Sequence, residues 1–182
     1  MDVQTLGAEI VDVDVSNFLT VVKATECRRF TGVVLHHSML PERPIWGVDY
    51  ARALNQFHFD ACGWNYGLGY QFVVSWNVVD PKQVRIQASY RWVHQLIGAH
   101  TQDRKGSGKS SAGPPNETMI GICFVGNYDA FTLPPETYLA LKPFVEMLLA
   151  KLNIPRQNVY GAYAFEQTTS PGRKFDTAFF RR

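Results

Sequence analysis

The chain has 182 residues, enough for one domain with a substantial hydrophobic core. Its 46% hydrophobic and 19% charged residues are typical of an ordinary globular domain and exclude a disordered or fibrous protein. The net charge of +2 is too small to indicate a nucleic-acid partner or a membrane surface, and no apolar run is long enough to span a bilayer.

The first 30 residues are expected to form an N-terminal extension packed on the main domain, which would span residues 31–182. Within the extension, VDVDV at 11–15 alternates as an edge strand does. The N-terminus carries acidic residues where a signal peptide would have a basic start and an apolar core. Localisation therefore stays unknown, with a cytoplasmic or phage-encoded protein as the default expectation.

The segment TGVVLHHS, residues 31–38, joins a short apolar run to two histidines. The run VVL predicts a buried strand that delivers His36 and His37 at its C-terminal end. Because side chains alternate along a strand, one imidazole should face the working surface of the sheet and the other should point away. A histidine fixed at a strand end suits a metal or acid–base site, although a strand that simply ends in two polar residues gives the same pattern.

Beyond this strand, helices and strands alternate without repeats, which favours an α/β fold: a single domain with a mixed central β-sheet flanked by helices. The predicted elements are a helix at about 48–61, strands at 70–76, 84–88, 119–126 and 158–162, and a long helix opened by Thr132. Thr132 is expected to cap that helix, and Pro143 to kink or split it. Residues 102–115, small and polar, predict a flexible loop insertion.

Three widely spaced cysteines exclude a cysteine-rich zinc ribbon, because the sequence contains no CxxC pair. Cys123 lies in the apolar run IGICFVG and is predicted to be a small buried core residue. Cys27 and Cys62 could pair in an oxidising compartment, but nothing in their spacing requires a disulfide. Free thiols are the default expectation.

Four segments, VVLHHS, GWNYGLGYQFVV, GAHT and NETMIGICFVGN, resemble in order and spacing the zinc-dependent N-acetylmuramoyl-L-alanine amidases. That family includes the phage amidase lysozymes and the animal peptidoglycan recognition proteins. A fifth segment, GAYAFEQTTSPGRKFD, lies where the family has its Gly-His-Arg-Asp run followed by Thr or Lys and by Cys-Pro-Gly. The resemblance runs from about Gly32 to Asp176 and implies a mixed sheet flanked by helices, with a groove over one face.

The resemblance also implies a zinc site in which only one ligand is present. The family holds zinc by a histidine from the first motif and by a histidine and a cysteine from the last. His36 matches the first ligand, whereas the other two positions are Ala162 and Ser170. Catalytic zinc sites keep three protein ligands and one open position, alanine has no donor atom, and a serine hydroxyl is a far poorer ligand than a thiolate. No cofactor is therefore expected as written, whereas zinc is expected in the ancestral or unmutated form.

Further site residues follow from the same resemblance. Tyr70 matches the tyrosine that assists at the zinc-bound oxygen, and Thr168 matches the position two residues before the cysteine, so both are assigned as catalytic. The implied substrate-binding residues are His37, His58, Trp64, Tyr70, His100 and Thr101. Trp64 could equally well be an aromatic residue that packs within its own turn. His58 could equally well be a histidine on a helix face whose hydrogen bonds are satisfied by its neighbours.

Three functions remain open at this point. The chain could bind peptidoglycan fragments without hydrolysing them, or it could be a zinc amidase that cleaves the MurNAc–L-Ala amide bond, seen as an inactivated variant. Histidine-to-alanine and cysteine-to-serine are replacements that an experimenter would choose, but Tyr163 and Ala164 also depart from the family pattern, which favours natural drift. The third option is a structural or regulatory pseudoenzyme. Peptidoglycan fragments are the expected partner, with no nucleic acid or membrane and no identified protein partner.

Overall fold

A computed structural model of the chain describes residues 9–63, 67–101 and 115–182. Its strands are β1 Val11–Val13, β2 Gly32–His37, β3 Phe72–Trp76, β4 Val84–Ala88, β5 Met119–Phe124 and β6 Val159–Gly161. Its helices are α1 Tyr50–Asp60, α2 Tyr90–Val93, α3 Pro115–Thr118 and α4 Pro135–Lys151, with 3-10 turns at Arg156–Asn158, Ala162–Ala164 and Thr177–Arg181. This architecture is the predicted α/β fold, a single domain with a mixed sheet flanked by helices.

The six strands that the structure describes form one sheet in the order β1-β4-β3-β5-β2-β6. The pairs β3–β5, β5–β2 and β2–β6 are parallel, and β4 pairs antiparallel with both β3 and β1. Every residue of β2 and β5 is buried, which explains why both strands are almost continuous apolar runs in the sequence. The predicted edge strand in the N-terminal extension is confirmed, because β1 closes one side of the sheet.

The two faces of the sheet carry different layers. Helix α4 packs on one face through Phe144 and Leu148, in the large core cluster that includes Leu35 and Ile122. Helix α1 packs on the other face, in a smaller apolar cluster that includes Val73 and Cys123. A second small cluster on that face joins Val34 and Met119 to Ala162 and Phe165. The α1 face is also the one toward which His36 points, since His36 lies beside Cys123 in the register of β2 and β5.

The prediction that Thr132 caps the long helix is wrong, and of the kink or split predicted at Pro143 the split does not occur. Pro134, not Thr132, occupies the N-cap position, and it makes no side-chain cap. The helix also continues through Pro143 without splitting. The carbonyl that would accept from residue 143 belongs to Leu139, whose side chain is 61% exposed, so water can satisfy it on this solvent-facing side of the helix.

Other boundaries shift only slightly. The predicted loop at 102–115 falls at 102–114 outside the described residues, and Pro115 already belongs to α3. All three cysteines are free thiols, and Cys123 is fully buried, as predicted. Among the described residues, no helix has the length and apolar content needed to cross a membrane.

Candidate functional site

His36 and His100 form a buried imidazole pair on the α1 face of the sheet. The Nε2 atom of His36 lies 3.1 Å from Nδ1 of His100, and the two residues are 3% and 6% exposed. The ring of His100 lies directly over Gly121 in β5: a Cβ atom at that position would be 2.6 Å from the Cγ and Cδ2 atoms of the imidazole. The floor of the site therefore requires glycine, because any side chain there would displace His100.

The proton positions in this pair follow from a backbone contact. The Nε2 atom of His100 lies 3.2 Å from the carbonyl oxygen of Met119, which can only accept a hydrogen bond. A neutral His100 therefore carries its proton on Nε2 and leaves Nδ1 as an acceptor, so the Nε2–H of His36 must donate to it. By the same logic His36 keeps an unprotonated Nδ1.

Tyr70 and His58 complete an aromatic cluster with this pair. The ring centroid of Tyr70 lies 5.1 Å from that of His36 and 5.7 Å from that of His58. The hydroxyl of Ser89 donates to the carbonyl of Tyr70 at 2.6 Å, which fixes the residue just before β3. The Nδ1 atom of His58 accepts the backbone N–H of Gly69 at 3.1 Å. His58 is thus both satisfied at Nδ1 by its neighbour and part of the cluster, so the structure accommodates both interpretations of this residue.

The cluster is uncharged at neutral pH. Burial lowers the pKa of His36 well below its usual range, and it lowers the pKa values of His58 and His100 to about 4. Burial also raises the pKa of Tyr70 well above its ordinary value and that of the neighbouring Cys123 thiol to about 12. The cluster can therefore offer ring surfaces and neutral hydrogen-bonding groups, but neither a thiolate nor a phenolate.

Arg91 in α2 holds together two segments that carry residues of the cluster. Its role was not identified from the sequence. This side chain is only 4% exposed. Its guanidinium donates to the carbonyl of Leu68 at 2.6 Å and to the carbonyl of Ile97. It thereby ties the turn that leads to Tyr70 to the segment that leads to His100. The signal in the sequence was an arginine inside the short apolar stretch YRWV. An arginine in such a stretch is buried only when its N–H donors have partners.

Asn116 in α3 holds the segment that carries His100 and Thr101. Its Oδ1 atom accepts the backbone N–H groups of His100 and Thr101 at 2.8 and 2.9 Å and lies 3.2 Å from the Thr101 hydroxyl, which donates to it. Its Nδ2 atom donates back to the Thr101 carbonyl at 2.7 Å. The hydroxyl of Thr101, a predicted substrate-binding group, is therefore engaged by Asn116.

His37 turns away from the cluster and contacts Tyr128 and Ser170. As predicted from strand alternation, His37 diverges from its neighbour: its ring stacks on Tyr128 with centroids 6.4 Å apart, and its Nδ1 accepts the Tyr128 N–H at 3.3 Å. The hydroxyl of Ser170 accepts the backbone N–H of His37 at 3.1 Å. Thr168 is exposed, and its Oγ1 accepts the N–H of Ser170 at 3.2 Å. Trp64 lies outside the described residues.

The residues at the implied metal positions do not fit a zinc ion. Ala162 is completely buried in an apolar cluster, and the Ser170 hydroxyl is bound to the backbone of His37. Within the described parts of the chain, no group of three or more His, Cys, Asp or Glu side chains is arranged to hold a metal. His36 alone supplies a metal-binding atom type at these positions, and one imidazole is not a zinc site.

Comparison with known proteins gives the family. No curated protein matches the chain by sequence. The endolysin amidase LysCS from Clostridium intestinale has a similar structure, with 19% identity, a TM-score of 0.60 and coverage of 84% of this chain and 82% of that chain. A mutant of Drosophila PGRP-LB in complex with tracheal cytotoxin has 21% identity and a TM-score of 0.58, with coverage of 84% of this chain and 83% of that chain. The ectodomain complex of PGRP-LCa and PGRP-LCx with the same ligand has 21% identity and a TM-score of 0.59, with coverage of 85% of this chain and 82% of that chain.

These structural similarities concern the fold. The sequence evidence is independent of them: the model of the N-acetylmuramoyl-L-alanine amidase family matches residues 26–173, which is most of the chain and contains β2, the histidine pair and all but the last three residues of the C-terminal motif. The chain therefore belongs to the N-acetylmuramoyl-L-alanine amidase family.

Proposed function

We propose that this protein binds peptidoglycan fragments through the face that carries His36, Tyr70 and His100, and that it does not hydrolyse them by the zinc route. The observation that carries the proposal is the His36–His100 pair: the chain keeps a buried aromatic cluster on this face, while the positions that would complete a metal site are Ala162 and Ser170.

The chemistry of the cluster suits sugar rings and short peptides. Aromatic and imidazole faces give contact area at low entropic cost, and a few polar atoms orient the ligand. The rings of the cluster are themselves uncharged at neutral pH, which suits the neutral, hydroxyl-rich parts of a muropeptide. The choice of ligand class is supported by the relatives with similar folds, two of which are complexes with tracheal cytotoxin.

Loss of hydrolysis follows from the missing metal donors. Hydrolysis by this route needs a metal ion to lower the pKa of a bound water and to polarise the scissile carbonyl. Without the ion, the catalytic roles implied for Tyr70 and Thr168 have no activated water to act on. We expect no stoichiometric zinc after dialysis, measured by metal analysis, and about one zinc per chain would contradict this. Release of free peptide from intact cell wall above a heat-killed control would also contradict it.

Binding is tested by calorimetric titration with a soluble muropeptide. Tyr70→Ala removes a ring from the cluster and should weaken binding by roughly 1–3 kcal/mol. Leu139→Ala is the matched control, because Leu139 is exposed on α4, on the opposite face of the sheet, and this change should leave binding unaltered. Each variant must first unfold at the same temperature as the parent.

Two outcomes would contradict the proposal. Absence of binding by the parent would favour the structural or regulatory alternative. Binding that is equally strong in the parent and in Tyr70→Ala would place the ligand on another surface of the protein.

A further inference from the structure

The outer face of helix α4 is apolar although it is open to solvent. Steps of four, four and three residues place the side chains of this face in one stripe, which consists of Leu139, Pro143, Met147 and Ala150. Leu139 is 61% exposed and Met147 37% exposed, and the other two residues are exposed as well. A helix that packs one side on its own core normally turns charged and polar residues to the other side. The α4 stripe is therefore an apolar surface that the fold leaves open.

A hollow lies beside the N-terminal end of the α4 stripe. The hydroxyl of Thr137 donates to the carbonyl of Pro81 at 2.8 Å, which fixes the β3–β4 turn against the start of α4. Val79 in this turn is 93% exposed and extends the apolar surface beyond the helix. The hollow has a volume of about 290 Å³ and is lined by Lys82, Glu136, Leu139 and Ala140. Methionine is unbranched and adapts to such a space, but Met147 lies about 12 Å along the helix from Leu139 and cannot fill the hollow of its own chain.

The residues of the α4 stripe are arranged symmetrically about Pro143. Leu139 lies four residues before it and Met147 four residues after it, while Glu136 lies seven residues before it and Lys151 eight residues after it. When two copies of a helix pack antiparallel about a two-fold axis, each position meets the position at an equal distance beyond the centre. Leu139 of one copy would then contact Met147 of the other, and Glu136 would meet Lys151 at both ends of the contact.

The charges of α4 fit this arrangement. Its other two charged residues are already engaged within the chain: Glu146 forms an ion pair with Arg156 at 2.8 Å, and Lys142 lies over an aromatic ring. Glu136 and Lys151 are both exposed, and neither takes part in an ion pair among the described residues. A second copy of the chain supplies an opposite charge to each of them.

We propose that this protein forms a two-fold symmetric dimer through the α4 stripe, with the two helices antiparallel and Met147 of each copy seated in the hollow of the other. The helices are expected to cross at about 20°, a common angle for nearly antiparallel pairs. Because α1 and α4 lie on opposite faces of the sheet, the dimer leaves both α1 faces open. The inference goes beyond the proposed function and is tested without a ligand.

The first test is sedimentation velocity of the full chain from about 1 to 500 μM, a range suited to a small interface. The mass should rise with concentration from 20.6 kDa towards twice that value. Leu139→Glu places a charge in the contact and should weaken the dimer at least about tenfold. Ile45→Glu is the matched control, because Ile45 is 66% exposed and lies before α1, and it should leave the dimer unchanged. A parent that stays monomeric, or two variants that change the dimer equally, would overturn the inference.

A pair of charge reversals tests the antiparallel arrangement. Glu136→Lys alone brings two lysines together at each end of the contact, and Lys151→Glu alone brings two glutamates together. Each variant should therefore dimerise about three- to tenfold more weakly than the parent at low salt. An equimolar mixture of the two variants forms a heterodimer with opposite charges at both ends, so mixing should restore the affinity of the parent. Single variants as strong as the parent, or a mixture no stronger than the single variants, would overturn the inference.

Discussion

Gly121→Ala should disrupt the site from its floor, because the ring of His100 occupies the space of the missing side chain. The new Cβ would be 2.6 Å from the Cγ and Cδ2 atoms of His100, closer than real carbon contacts allow. The imidazole must therefore move, and it cannot do so without weakening its hydrogen bonds with His36 and with the carbonyl of Met119, now 3.1 and 3.2 Å long.

The expected loss of stability comes from two effects. Overpacking in a well-filled interior costs about 1–3 kcal/mol, and each weakened hydrogen bond costs about 0.5–1.5 kcal/mol. Alanine is the better strand residue by roughly 0.5–1 kcal/mol, which offsets part of this loss. We therefore expect Gly121→Ala to lower the free energy of unfolding by about 2–4 kcal/mol.

A double-mutant cycle with His100→Ala isolates the cause. In the His100→Ala background the imidazole is absent, so Gly121→Ala should be close to neutral, apart from a small effect of the His100 Cβ at 3.0 Å. The coupling should be about 2–4 kcal/mol, far above the roughly 0.5 kcal/mol within which independent sites add. Urea denaturation of the four proteins measures it. If Gly121→Ala is equally destabilising with and without the imidazole, then the contact with His100 is not what requires glycine.

Three further changes probe the rest of the site. His58 has a pKa of about 4 in the folded chain against about 6.5 in the unfolded chain, so the unfolded chain takes up the proton first and stability falls as the pH drops from 6.5 to 4. His58→Asn keeps an acceptor and should remove up to about 1.4 kcal/mol per pH unit from that slope, measured by urea denaturation across a pH series. Ala162→His combined with Ser170→Cys should restore about one zinc per chain in metal analysis, and failure would show that the site has diverged beyond these positions. Arg91→Met should cost about 1–3 kcal/mol in the free energy of unfolding, because it removes the donors to the buried Leu68 carbonyl and to the carbonyl of the half-exposed Ile97, whereas the exposed control Arg29→Met should cost almost nothing.

The sequence predicted the fold best where the physics is local. Strands β2 and β5 are buried on both faces, so their apolar runs were unambiguous, and strand alternation correctly separated His36 from His37. The long helix was located correctly, but its start was not, because threonine and proline are both common at helix N-termini and only the backbone decides between them.

The site itself depends on contacts that the sequence does not encode locally. Cys123 was predicted as a core residue, which is correct, but its position beside Tyr70 follows from the parallel register that sets it next to His36. The contact of His100 with Gly121 joins a loop to a central strand, and the buried role of Arg91 emerges only once the two loops that it ties are in place. Such long-range arrangements follow from the tertiary fold and not from the spacing of residues.

The same contacts explain how the fold can be maintained without a metal ion. A buried polar group is expensive when it lacks a partner and inexpensive when the protein supplies one. Here the Nε2 of His36 is bonded to His100, the hydroxyl of Ser170 is bonded to the backbone of His37, and the methyl group of Ala162 is buried among apolar side chains. The implied ligand positions thus hold neither an unpaired charge nor an enclosed donor without an acceptor, so no ion is needed to stabilise them.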